Sequence, residues 1–190
     1  MYKKISLVIV FLGFSYSYLF CQTFTKSYEI VYKNSTPMYV EFSNNGKYIV
    51  AGIYGEVRVW KTGTNKYRDY SLDRVNVTPN FVCFSPDDNY IATGIYGAIR
   101  VWKLNSNDFT DYKVKYENTT PTYFSFSPDG KSIAAGVYGA VRVWNLKSGK
   151  FIDYPGKYKN DTPKFVKFSP DSLFIVAGQY GEVTTWKLNE

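Results

Sequence analysis

The chain has 190 residues, 45% hydrophobic and 19% aromatic, which is enough apolar material for one ordinary domain with a real core and too much for a disordered tail. Its formal charge is +7 with no histidine, which excludes Ser-His and Cys-His catalytic pairs and imidazole metal ligands. Nineteen tyrosines against two methionines favour strands over helices, because aromatic side chains suit a pleated, half-buried surface.

Residues 1–21 read as a signal peptide. Lys3 and Lys4 precede an apolar run from Ile5 to Phe14, the layout of a secretory signal. The run falls short of the ~20 residues a spanning helix needs, unless Tyr18 to Phe20 extend it. The expectation is a cleaved signal and a secreted or extracytoplasmic protein, with membrane anchoring by residues 5–20 as the alternative. A lipid on Cys21 is disfavoured by Phe20, since bacterial lipoprotein signals carry a small residue there. Without the leader the charge is about +5, spread along the chain, and Cys83 is the only thiol, so no intrachain disulfide is expected.

Residues 22–190 read as one repeat domain, with units at about 23–64, 65–106, 107–148 and 149–190. Trp60, Trp102, Trp144 and Trp186 stand 42 residues apart, as do Tyr54, Tyr96, Tyr138 and Tyr180, each followed by glycine. Phe42-Ser43, Thr36-Pro37, Tyr28 and Ile49 each recur at the same period, with no insertion or deletion. An uninterrupted period of this length points to a stacked or radial repeat.

Each unit predicts four short strands. In the third copy "TYFSFS" alternates and is followed by the turn "SPDG". "KSIAAG" is a second strand, and "VYG" a three-residue hairpin loop with glycine in the left-handed region. "AVRVW" is a third strand, and segments such as "FTDYKVKY" supply the fourth.

The stretch "FSPDGKSIAAGVYGAVRVWNLKSGK" resembles blades of the WD-repeat family of β-propellers: the same turn, small-residue strand, glycine hairpin and strand ending in tryptophan. The resemblance extends over residues 28–190. It implies an all-β propeller of four 42-residue, four-stranded blades, with the tryptophans in structural roles. It also departs from the family. The usual histidine before the first strand is missing, and the hairpin is one residue short, so its aspartate is deleted. Each indole N–H must find another acceptor.

In such a blade Tyr54, Tyr96, Tyr138 and Tyr180 sit at hairpin tips near the Thr-Pro loops. Two roles are open for them: capping the blade edge in place of the lost residues, or forming a recognition ring for a partner. The second makes them the candidate binding residues. Asn34, Asn76, Asn118 and Asn160 form Asn-x-Thr-Pro, formally glycosylation acceptors, but the following proline favours an Asx-turn. Arg58, Arg100 and Arg142 predict an inter-strand ion-pair row with groups such as Glu56; a basic groove is the alternative, and Thr184 breaks the series. Asp87, Asp129 and Asp171 are explained by Ser-Pro-Asp turns, and Asp69, Asp111 and Asp153 lie a blade apart.

No cofactor, metal set or catalytic constellation is expected, and the chain is read as not an enzyme. Nucleic acid is not an expected partner, for want of a concentrated basic tract. A non-catalytic scaffold for protein–protein interaction is the expectation, with a lectin-like carbohydrate-binding module using the same tyrosines as the alternative. Segment 24–32 carries the fourth-strand tyrosine Tyr28 and is expected to be the missing outer strand of a last blade, its own or that of a second copy, because residues 23–190 make 168, or four periods of 42. A closed four-bladed ring, an eight-bladed homodimer and an open arc all remain open.

Overall fold

A computed structural model describes residues 36–72, 78–114, 116 and 119–188. Among them the elements are all β-strands: β1 (Val40–Phe42), β2 (Tyr48–Ile53), β3 (Glu56–Lys61), β4 (Tyr67–Ser71), β5 (Val82–Phe84), β6 (Tyr90–Ile95), β7 (Ala98–Lys103), β8 (Phe109–Lys113), β9 (Phe124–Phe126), β10 (Ser132–Val137), β11 (Ala140–Asn145), β12 (Phe151–Pro155), β13 (Lys164–Phe168), β14 (Phe174–Gln179) and β15 (Glu182–Lys187). They form antiparallel sheets in the orders β1-β2-β3-β4, β5-β6-β7-β8, β9-β10-β11-β12 and β13-β14-β15, here blades 1 to 4. This is the predicted all-β architecture of four 42-residue units. Blade 4 has three described strands. Segment 24–32, expected to supply its fourth, lies outside the described residues, as does the leader.

The pairing repeats because the residues repeat. Ile49 faces Trp60, Ile91 faces Trp102, Ile133 faces Trp144 and Ile175 faces Trp186. Each pair sets a β-branched residue beside a large ring, an arrangement that stabilises antiparallel neighbours. Trp60, Trp102 and Trp144 are buried, while Trp186 on the last blade is half-buried.

Blades pack face to face, and each junction is a separate core. Between blades 1 and 2, Val50, Val57, Val59, Tyr70 and Leu72 meet Val82, Phe84, Ile91 and Trp102. Between blades 3 and 4, Ala134, Val141 and Tyr154 meet Val166, Phe168, Ile175 and Ala177. Each fully buried Val, Ile or Phe contributes about 1.5–3 kcal/mol relative to leaving it exposed. Fourth-strand tyrosines add polar ties between blades: the Tyr70 hydroxyl accepts from the Asn105 N–H at 2.8 Å, and the Tyr112 hydroxyl donates to the Leu146 carbonyl at 2.8 Å.

A backbone contact sets how closely blades approach. The second strands carry Gly52, Gly94 and Gly136, and the carbonyls of Pro79, Pro121 and Pro163 on the next blade press against them. A Cβ at these glycines would lie 2.7, 1.9 and 1.7 Å from those oxygens. Glycine at this position and proline in the Thr-Pro loop are therefore one structural unit, shared by consecutive blades.

At the other end of blades 2, 3 and 4 the Ser-Pro-Asp turns close as the sequence predicts. The hydroxyls of Ser85, Ser127 and Ser169 donate to Asp87, Asp129 and Asp171, and accept from the N–H groups of Tyr90, Ser132 and Phe174 at 2.9 Å.

Candidate functional site

The four candidate tyrosines do lie at hairpin tips, but the loop is shorter than predicted. Pairing runs through Ile53–Glu56, Ile95–Ala98, Val137–Ala140 and Gln179–Glu182, so only Tyr-Gly remains unpaired in each turn. The three-residue loop is thus corrected to a two-residue turn. Its physical reason is that a single positive φ, 78° at Gly55 and 79° at Gly139, closes the hairpin with the tyrosine in ordinary conformation. That is the pattern of a type II turn, which asks for glycine at its third position.

The turn puts each tyrosine outward. Tyr54, Tyr96, Tyr138 and Tyr180 are 54%, 50%, 38% and 82% exposed. They also have neighbours from the connecting loops. Tyr116 meets Tyr138 edge-on with centroids 5.2 Å apart, and Tyr158 meets Tyr180 likewise at 6.4 Å. The loops are fastened to the hairpins through backbone bonds: Gly97 N–H to Thr119 O at 2.7 Å, and Gly139 N–H to Asp161 O at 2.8 Å. Tip and Thr-Pro loop are therefore neighbours, as the sequence predicted. Both predicted roles remain compatible with this geometry, since the rings pack in pairs and still face solvent.

A second aromatic row was not singled out in the sequence. Tyr39, Phe81 and Tyr123 immediately precede β1, β5 and β9, and Phe165 is the second residue of β13. Their ring centroids are 4.6 Å apart from Tyr39 to Phe81, 5.6 Å from Phe81 to Tyr123 and 4.4 Å from Tyr123 to Phe165. The signal was present, because these positions also repeat every 42 residues. Phe165 has a positive φ of 53°, an outlier for a bulky residue, beside a register shift in β13 between Lys164 and Lys167. It is exposed. Between the two aromatic rows, a cavity of about 220 Å³ opens among Tyr116, Thr120, Pro121, Tyr138, Pro163 and Lys164.

The arginine series forms ion pairs, and the principal partner is an aspartate of the fourth strand, not Glu56. Arg58, Arg100 and Arg142 stand opposite Asp69, Asp111 and Asp153 in register. Each pair is bidentate; in Arg100–Asp111 both bonds are 2.7 Å. Arg58 also has Glu56 at 3.7 Å, so the expected Glu56 contact is secondary. The guanidinium groups lie over the Tyr67, Phe109 and Phe151 rings at 3.8, 4.0 and 3.7 Å. Such a stacked, paired guanidinium is a strut in the blade. In the fourth copy Thr184 stands where the others have arginine, and the retained Trp186 is half-buried, its indole N–H donating to Pro155 O at 3.3 Å. Asn160 lies in a turn closed by Asp161 N–H to Tyr158 O at 3.3 Å, while Asn34, Asn76 and Asn118 lie outside the described residues.

Two inner-strand groups feel burial. The Glu41 carboxyl is raised by desolvation, opposed by the Phe84 N–H that it accepts at 3.1 Å and by Lys167. Burial also pushes the Cys83 thiol well up, helped by Glu41, so it is not a poised nucleophile. A larger cavity, about 610 Å³, lies at the far end of blades 2 and 3, among Lys103, Asp108, Phe109, Tyr112 and Lys131. It is remote from the tyrosines. Among the described residues no group of three His, Cys, Asp or Glu side chains is placed to hold a metal, and no helix is long and apolar enough to cross a membrane.

Residues 75–103 match the family model for the WD domain, G-beta repeat. Comparison with curated proteins returned no match. A WD40 repeat suggests a non-catalytic protein-interaction scaffold; such repeats generally mediate protein–protein contact and are generally not enzymes. The matched stretch includes β5, β6 and β7 of blade 2. That repeat and four antiparallel sheets, one of three strands and three of four, fit a WD-repeat-like β-propeller.

Proposed function

We propose that the tyrosine-bearing end of the blades is the docking face of an extracytoplasmic protein-interaction scaffold. The carrying observation is that four tip tyrosines, one per blade, stand exposed at the same end as the exposed Tyr123 and Phe165. Tyrosine presents a large, stiff, amphipathic surface and is enriched among residues that dominate binding energy. A stable protein partner needs an interface of about 1,000 Å² or more, which a row spanning several blades supplies better than a single tip. The extracytoplasmic setting is supported by Lys3, Lys4 and the apolar run Ile5–Phe14.

The test compares the intact protein with a variant carrying Ala at positions 54, 96, 138 and 180. Both are immobilised against extracytoplasmic proteins of the source cell and, separately, against a glycan array. Capture of a defined protein by the native face, weakened about 30-fold or more in the variant, supports the reading. Unchanged capture would remove the tyrosines from the site. Glycan binding without protein capture would replace the scaffold by the carbohydrate-binding alternative. Circular dichroism of the variant should be unchanged, because these side chains are exposed.

A further inference from the structure

The three junctions between blades define what each face of a blade accepts, and among the described residues the leading face of blade 1 and the trailing face of blade 4 carry the same two sets of residues. At every internal junction the leading blade face brings a proline and two apolar residues of its inner strand: Pro79, Val82 and Phe84; Pro121, Phe124 and Phe126; Pro163, Val166 and Phe168. All nine are buried. The trailing face of the preceding blade receives them with a glycine and a fully buried aliphatic residue: Gly52 and Val57, Gly94 and Ile99, Gly136 and Val141.

Blade 1 carries the same leading set in Pro37, Val40 and Phe42. Pro37 is half-buried, and Val40 and Phe42 are 60% and 62% exposed. Blade 4 carries the same trailing set in Gly178 and Val183. Val183 is 77% exposed, and among the described residues a Cβ on Gly178 would find only Lys164 O of its own blade, at 3.6 Å. Among the described residues, the proline slot that is filled three times within the chain is open here. Trp60, farther out on the leading face, is already packed with Ile49, Ala51 and Ile53, so the unused contact lies along the inner strand.

We infer that the trailing face of blade 4 docks onto the leading face of blade 1 of a second copy, and that two copies close head to tail into one eight-bladed ring. The occupant is argued from the chain itself: three times it places Pro, an apolar residue and Phe on Gly and an aliphatic residue, and the free faces repeat those two sets. A contact between unlike faces is heterologous, and such contacts build rings when their rotation closes. Eight blades is within the range of propellers. Closure of one chain on itself would bury Val40, Phe42 and Val183 against one another, and they are exposed. This inference is independent of the tyrosine face.

The experiment measures the native mass of the purified full chain by light scattering with size exclusion, across dilution, for the native protein and for Val183→Asp and Phe42→Asp. The native chain is expected at about twice 21.9 kDa. Each variant alone is expected as a monomer with unchanged circular dichroism, since both side chains are exposed. Mixed in equal amounts, the variants are expected to form a 1:1 dimer that dissociates on dilution, because Val183→Asp retains an intact leading face and Phe42→Asp an intact trailing face. A native chain that stays monomeric at every concentration would overturn the inference. So would a native assembly larger than two, variants that remain dimeric, or a mixture that stays monomeric.

Discussion

Gly94 and Pro121 stand so close that a Cβ on the glycine would lie 1.9 Å from the proline carbonyl oxygen. The obstacle is backbone, so no side-chain rotation relieves it, and blades 2 and 3 would have to separate. Gly94→Ala and Gly136→Ala are therefore expected to destabilise by about 1–3 kcal/mol or more, the usual cost of overpacking a core. Gly178→Ala, with its nearest neighbour at 3.6 Å, should leave the stability of a dilute single chain nearly unchanged while weakening the association of two copies. Urea denaturation reads the first effect, and light scattering the second.

Arg100 and Asp111 make the most buried of the three arginine pairs, with Arg100 only 4% exposed. Asp111→Ala leaves that guanidinium desolvated without its carboxylate. The expected cost is about 2–4 kcal/mol, somewhat below that of a wholly sealed pair because the aspartate keeps some solvent. Asp69→Ala should cost less, about 1 kcal/mol, because Arg58 is more open and keeps Glu56 nearby. A shift of the urea midpoint with unchanged slope is the expected form in both cases.

Acid should weaken the fold through the Ser-Pro-Asp turns. Partial burial by itself would raise Asp87 and Asp129, but the Ser85 and Ser127 hydroxyls and the Asn89 and Lys131 amides outweigh it and hold both below the ordinary 3.8. Asp171 is lowered chiefly by the Ser169 hydroxyl and the Leu173 N–H. Carboxyls lowered in the fold contribute stability that is complete above their unfolded value and is lost as pH falls through the folded one. Glu41 has the opposite sign. Raised by burial above 4.5, it costs stability at neutral pH, and the cost disappears as pH falls through its raised value to the ordinary one. Glu41→Gln should be more stable than the native chain at pH 7, and the difference should vanish below about pH 4. Denaturant titrations at a series of pH values measure both effects.

Cys83 is buried, with its thiol pushed well up by desolvation. A thiol reagent should leave it unlabelled in the folded protein at neutral pH and label it as the chain unfolds. Site-resolved mass spectrometry over a urea series checks this. Labelling under native conditions would show that the junction of blades 2 and 3 opens locally.

The blade was legible in the sequence because its determinants are local. Alternation, the Ser-Pro-Asp turn, Tyr-Gly and the Ile–Trp pairs act within about 25 residues, and the period of 42 repeats them without a gap. The hairpin tyrosines followed from the same periodicity, and their nearness to the Thr-Pro loops from the resemblance to propeller blades. The hairpin length did not, because a type II turn and a three-residue loop use the same Tyr-Gly letters, and only the Ile53–Glu56 pairing distinguishes them. Asp69, Asp111 and Asp153 looked isolated along the chain; strand register alone brings each opposite an arginine.

The sequence by itself determined the number of units, their strand order and the end of the blade that bears the tyrosines. Tertiary structure decided which faces those units fill and which they leave open. Val40 and Val82 are the same residue in the same repeat position, yet one is exposed and the other buried. No local propensity separates them. Among the described residues a preceding blade packs against Val82 and none packs against Val40, and burial depends on what packs against a face and not on the residues that form it.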